Sequence, residues 1–303
     1  MVVILVGLLA VGAARAEVML FKGDPAPSAG LIIGGWGSGT AEESSEKVFV
    51  GSRSIRMKTQ GLHEGGRIDL KDPIDLLAEP LDGTEYLQVV VSFTKMKTPL
   101  AGGGYPVPGV GYPRTGGVPT YWGSSFGDVE FATPEVSRVR VVLQASDGRS
   151  IESTMDVPSQ TDEGWYKVAA PFKVLGLKQG ETFPVARVLV FTDIADTVYV
   201  GQIGTVRDNT PITVNVDQDE EVVAQGDVIT FRGQAEAGAS MLRYSWNFGD
   251  RDKSGQPGGE DAVGEIVRHK FTKAGDFTVT LTVSDAWGIK EPATATVQVT
   301  VND

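Results

Sequence analysis

The chain of 303 residues carries 27 Lys and Arg against 39 Asp and Glu, a formal charge of −12, with 41% hydrophobic residues and no cysteine. That balance argues against a basic nucleic-acid binder, and the missing thiols exclude disulfide stapling, a thiol nucleophile and thiolate metal ligation. The 38 glycines and 16 prolines predict many turns around a buried core, and the length suits two domains of about 100 to 200 residues each.

The first segment, Val2 to Val11, is an apolar run broken only by Gly7, followed by the A-x-A triplet Ala14-Arg15-Ala16. A spanning helix needs about 20 apolar residues, so the run fits a secretory signal over residues 1–16, with Glu17 as the first mature residue. The mature chain then has no membrane span and a secreted or cell-surface destination.

From Glu17 to Asp208 the pattern is strand after strand. Arg53–Thr59, Arg67–Leu70, Trp165–Phe172, Arg187–Thr192 and Thr197–Val206 are each bounded by Gly, Pro, Asp or Asn. Leu87, Val89, Val91 and Phe93 alternate with Tyr86, Gln88, Val90 and Ser92. Val139, Val141 and Leu143 alternate with Arg140, Val142 and Gln144. Both read as long central strands. Ile74 to Ala78, between Pro73 and Pro80, allows one helical turn at most. Strands without helical interleaving favour an all-β domain over residues 17–208, a jelly-roll sandwich and not a parallel sheet.

One stretch cannot be a regular strand. Thr98 to Gly127 holds nine glycines, five prolines and five aromatics, among them Tyr105, Tyr112, Tyr121 and Trp122. Loops of this length inside a domain are usually functional or disordered. Tyr and Trp on a Gly/Pro frame offer flat apolar faces with polar edges, suited to stacking on sugar rings or docking a partner. These four residues are the candidate ligand-binding set. The alternative is that the rings fold back to cap the sandwich or pack on the neighbouring domain. Trp36 and Trp165 lie beside strand patterns, where core packing is the expectation.

Asn209-Thr210-Pro211 is the expected hinge, since Pro pushes the residue before it toward extended backbone. Beyond it, strands are expected at Ile212–Val216, Asp227–Ala235, Leu242–Phe248 and Val263–Phe271. Phe277, Val279, Leu281 and Val283 alternate with threonines and Ser284, and Ala293, Ala295, Val297, Val299 and Val301 repeat the pattern. About seven short strands over residues 212–303 match the count of an immunoglobulin-like sandwich.

Within it, Tyr244-Ser245-Trp246-Asn247-Phe248-Gly249-Asp250, then His269-Lys270-Phe271, then Ala274-Gly275-Asp276-Phe277 and Val279 to Asp285 resemble a PKD domain. The resemblance implies a buried Trp246 beside an inward Phe248, a turn at Gly249-Asp250, and a spacer or a protein or polysaccharide contact module without chemistry of its own. His269 is expected to bond a loop backbone. More diffusely, Gly35-Trp36-Gly37, the Gly51 to Met57 strand, Gly164-Trp165-Tyr166-Lys167-Val168 and Asp196 to Val200 are similar to galactose-binding-like carbohydrate-binding modules. Gly201 stands where such modules often carry an aspartate, which weakens a carried-over calcium site.

No catalytic signature emerges. Asp128-Val129-Glu130 and Glu260-Asp261 with Glu265 are the nearest carboxylate groupings, and neither matches a pair aimed into one glycosidase cleft. His63 and His269 are the two histidines, too few and too far apart for a histidine-rich metal site. Asp217-Gln218-Asp219-Glu220-Glu221 reads as a solvated turn, lacking the spaced glycine and bidentate glutamate of a calcium loop. No cofactor is implied, and structural calcium has no clear motif. The expected function is a non-catalytic secreted binding protein, with glycan binding by the jelly roll. Its partner would be a polysaccharide or a surface protein, not nucleic acid. The alternatives are a structural or adhesive surface component docking protein partners and, third, a glycan-active enzyme.

Overall fold

Alternation of apolar and polar positions gives each strand one face for a core, and two such sheets must bury those faces on each other. The computed structural model describes residues 17–94, 135–158, 163–250 and 260–303. Its first eleven strands make two sheets. One contains β1 (Met19–Phe21), β3 (Thr40–Ser44), β4 (Ser54–Gln60), β6 (Glu85–Phe93), β9 (Tyr166–Pro171) and β11 (Ala195–Arg207), in the order β3-β4-β11-β6-β9 with β1 also on β11. The other contains β2 (Leu31–Trp36), β5 (Gly65–Asp75), β7 (Arg138–Ala145), β8 (Ser150–Asp156) and β10 (Pro184–Thr192), in the order β2-β5-β10-β7-β8.

All pairings in these two sheets are antiparallel. From β4 to β7 and again from β8 to β11 the chain changes sheet at every step, which is jelly-roll winding. Ile55, Met57, Val89, Val91 and Val200 from one sheet meet Ile68, Val139, Val141, Val188 and Val190 from the other in a fully buried core. Residues 74–78 are not helical. Strand β5 continues through Asp75, whose carboxylate accepts from Leu77 N and Phe183 N, and a tight turn follows.

The C-terminal strands form a second sandwich. β12 (Thr213–Val216), β14 (Val228–Glu236) and β17 (Ile266–Lys270) make one sheet. β13 (Glu220–Ala224), β15 (Leu242–Asn247), β16 (Ala262–Val263), β18 (Gly275–Asp285) and β19 (Ala293–Asn302) make the other, in the order β13-β19-β18-β15-β16 with β13 parallel to β19. Trp246 lies fully buried between them, 5.8 Å from the Phe231 ring, and donates Nε1–H to Gly264 O at 2.8 Å. Gly249 has φ +73°, and a Cβ there would stand 2.7 Å from Thr278 O, which explains the glycine of the aromatic turn.

Two sequence readings change here. The strand expected over Val263–Phe271 divides into β16 and β17, which pair in different sheets on either side of Gly264 (φ +124°). Glu220 and Glu221 belong to strand β13 and not to a turn.

The junction is braced. Asp208, 7% exposed at its side chain, accepts from Lys290 Nζ at 2.6 Å, Ala239 N at 2.6 Å and Thr210 N at 2.9 Å, and Lys290 also donates to Ala237 O. Met241 and Trp287 of the second sandwich pack on the core of the first, and Tyr86 Oη and Ser240 Oγ are hydrogen-bonded at 3.2 Å. Among the described residues no helix is long and apolar enough to cross a membrane.

Candidate functional site

Tyr105, Tyr112, Tyr121 and Trp122 lie outside the described residues, as do Asp128 and Glu130. The chain on either side of that stretch is tied down by two aspartates. Thr94 donates its N–H to Asp196 Oδ2 at 3.1 Å and its hydroxyl to Asp196 Oδ1. Ser137 donates its N–H to Asp193 Oδ1 at 3.1 Å and its hydroxyl to Asp193 Oδ2. Asp193 and Asp196 flank the tight β10–β11 turn, so both flanks are fixed by one short piece of backbone. Asp196 is in turn seated by Thr59, whose Oγ1 bonds Thr192 Oγ1 and the Asp196 backbone.

The two sheets of the jelly roll differ on their outer faces. On the β3-β4-β11-β6-β9 sheet, Phe49 from the β3–β4 connection packs on Trp165 (ring centroids 5.5 Å) over Val90 and Tyr199. Lys47 Nζ donates to Ser92 Oγ at 3.1 Å, and Tyr199 Oη donates to Glu46 Oε2 at 2.6 Å. Burial first, then the Glu46 carboxylate, pushes the Tyr199 phenol above its ordinary value. Gly201 permits this cover, because a Cβ there would stand 2.4 Å from Phe49 Cβ and 2.8 Å from the Trp165 ring. That is a steric reason for glycine where an aspartate was the comparison.

The outer face of the β2-β5-β10-β7-β8 sheet is built differently. Register sets its side chains in cross-strand rows. One row runs Ile32, Asp69, Arg187, Gln144, Ser150, and the next runs Gly34, Arg67, Leu189, Val142, Glu152. A third edge pairs Phe191 with Arg140 and Arg140 with Thr154. Val142, Leu189 and Phe191 form a buried floor, against which Trp36 packs half-buried. Trp36 is therefore a residue of this outer face and not of the central core, contrary to the sequence expectation. Arg140 lies over Phe191 at 5.2 Å and Arg187 over Trp36 at 5.8 Å.

Polar contacts knit the grid. Arg187 Nε donates to Asp69 Oδ1, Arg187 Nη1 reaches Gln144 Oε1 at 3.4 Å, and Arg67 Nε lies 3.1 Å from Asp69 Oδ2. Arg140 pairs with Glu152 and donates to Leu62 O at 2.9 Å, with His63 Nδ1 at 3.4 Å. Sequence reasoning missed Arg67, Asp69, Gln144 and Arg187 as candidates; their one signal was polar identity at the outward positions of otherwise apolar strands.

The remaining carboxylates point to separate partners. Glu260 pairs with Arg243, Asp261 accepts from Phe248 N at 2.8 Å, and Glu265 stands beside Tyr244, which burial and then Glu265 push well above the ordinary phenol value. His269 Nε2 bonds the Asp250 side chain at 2.8 Å, not the loop backbone expected, with its ring stacked on Phe248. Among the described residues no group of three or more His, Cys, Asp or Glu is arranged to hold a metal ion.

Together these features define an all-β chain in which a jelly roll is joined to an immunoglobulin-like sandwich. The second sandwich is a PKD domain: residues 209–301 match the PKD domain family. No curated protein matches the sequence. Among solved structures, the β-1,2-glucanase of Parabacteroides distasonis aligns at 12% identity and TM-score 0.36 over 95% of this chain and 38% of its own. The PKD1 domain of Vibrio anguillarum Epp aligns at 25% identity and TM-score 0.23 over 31% of this chain and 100% of its own. A Dscam structure aligns at 14% identity and TM-score 0.24 over 54% of this chain and 37% of its own. The chain thus spans well under half the length of the glucanase.

Proposed function

We propose that this is a non-catalytic exported binding protein, in which the jelly roll holds a glycan and the PKD domain serves as spacer or contact module. The observation that carries the reading is the asymmetry of the jelly roll: the centre of one outer face is covered by Phe49 and Trp165, while the other presents Trp36 among Arg, Asp, Gln and Glu side chains. Apolar rings beside fixed polar groups suit a sugar, which has an apolar ring face and a rim of hydroxyls. Tyr105, Tyr112, Tyr121 and Trp122 are proposed to add stacking surface, from a segment whose flanks are fixed by Asp193 and Asp196. Among the described residues Asp69 and Glu152 are each paired with arginine, Asp69 with Arg187 and Glu152 with Arg140.

A second reading, an adhesive component docking protein partners, is favoured by the exposed Val222, Val228 and Val263 of the PKD domain. An insoluble-polysaccharide pull-down with a glycan array separates the two. Glycan binding lost on Tyr121→Ala or Trp122→Ala supports the first reading, and no binding across the panel moves the weight to protein docking.

A further inference from the structure

Arg67, Arg187 and Arg140 stand on the same outer sheet face, from β5, β10 and β7, which are adjacent strands of a chain whose formal charge is −12. The acids of their grid are Asp69 and Glu152. Asp69 is divided between two guanidiniums, taking Arg187 Nε on Oδ1 and lying 3.1 Å from Arg67 Nε on Oδ2, at an angle that makes the latter an ion contact and not a hydrogen bond. No described residue accepts a hydrogen bond from Arg67 Nη1 or Nη2, or from Arg187 Nη2. Among the described residues the local charge is therefore positive on a negative molecule, and the donors that express it have hydrogen-bonding capacity left over.

The setting strengthens any charge contact made there. Val142, Leu189 and Phe191 beneath the arginines are 5%, 3% and 1% exposed, so the guanidiniums lie on a low-dielectric floor. Gly34 sits opposite Arg67 in the ladder, and a Cβ there would come within 3.0 Å of Arg67 Nη2; the glycine leaves that head group its place at the surface. At about 4.8 Å between strands, the row from Ile32 to Ser150 is about 19 Å across, enough for several sugar rings in line.

We infer that this face takes a polysaccharide carrying uronate carboxylates, with a carboxylate held by Arg67 and Arg187 and neighbouring hydroxyls by Gln144 and Ser150. The planar guanidinium fork matches a carboxylate, and Asp69 already occupies one such position between the same two heads. The inference rests on the glycan reading above and names its ligand class.

The test is titration calorimetry of the full chain with polygalacturonate, with the same polymer fully methyl-esterified, and with dextran sulfate. Polygalacturonate is expected to bind at least about tenfold tighter than the ester, and more weakly as salt rises. Arg67→Gln and Arg187→Gln are each expected to weaken it by about tenfold to a hundredfold. Arg67→Lys should fall between, and provides the reading if a glutamine variant does not fold. Arg53→Gln removes an arginine that pairs with Glu43 on the other sheet and is expected to leave binding unchanged.

Equal affinity for the ester, tighter binding of dextran sulfate than of polygalacturonate, or full affinity in the Arg67 and Arg187 variants would overturn the inference while leaving glycan binding standing. Absence of binding to any glycan in the wider panel would overturn both.

Discussion

At Gly201 a single hydrogen in place of a side chain leaves room for Phe49 and Trp165 to pack on the sheet. The Cβ of any other residue would occupy space held by Phe49 and Trp165, so the cover would have to lift or the strand shift. Gly201→Val is expected to cost about 1–3 kcal/mol, read as a lower midpoint in urea with quenching of Trp165 altered; an unchanged midpoint and spectrum would contradict the packing described. The same scale shows what sequence could and could not disclose. Trp246, Phe248 and Gly249 were legible because their local motif is also their structural role. Trp36 was not: a tryptophan at the end of Leu31–Trp36 reads as core until register reveals that it faces outward with Arg67 and Arg187. His269 was legible as a paired residue, but its partner, Asp250, sits 19 positions away on a different element.

At the scale of elements, strands with one apolar and one polar side were readable: β6, β7, β18 and β19 stand where alternation put them, and β10 and β11 where their bounding turn residues did. Those that escaped, β1, β2, β3, β8 and β13, are short or edge strands. Thr40 to Ser44 has almost no apolar face, and it is held in place by its ladder to β4 rather than by its own side chains. The arginine grid was hidden for a related reason, since its members come from β5, β7 and β10 and meet only through hydrogen-bond register. The β10–β11 turn makes its own prediction. Asp196 holds Thr94 and Asp193 holds Ser137, so Asp196→Ala should remove both hydrogen bonds to Thr94 and cost about 1–2 kcal/mol. The double variant Asp193→Ala/Asp196→Ala should weaken glycan binding more than either change lowers stability would explain. Denaturant unfolding alongside a binding isotherm checks this, and full affinity in the double variant would show that the fixed flanks are irrelevant to the ligand.

For the whole molecule, the two sandwiches meet, beside the expected hinge Asn209-Thr210-Pro211, at a nearly buried ion pair of Asp208 with Lys290. Burial alone would raise the Asp208 carboxyl, but the hydrogen bonds from Lys290, Thr210 and Ala239 outweigh it and hold it below its ordinary value of 3.8. A lowered folded-state value means the contribution is present in full above the unfolded-state pKa and fades as pH falls through the folded one. Asp208→Asn should therefore cost about 3 kcal/mol at pH 7, where it leaves Lys290 uncompensated, and progressively less below about pH 4. Equal cost at both pH values, in calorimetric unfolding, would mean the pair does not brace the joint.

All of this rests on a frame that binds and does not cut. Incubating the chain with a panel of insoluble acidic and neutral polysaccharides, and following bound protein and released reducing ends in the same samples, tests that idea most directly. Retention on at least one acidic polysaccharide with no new reducing ends is the predicted result; steady release of reducing ends, or no retention on any member of the panel, would contradict it.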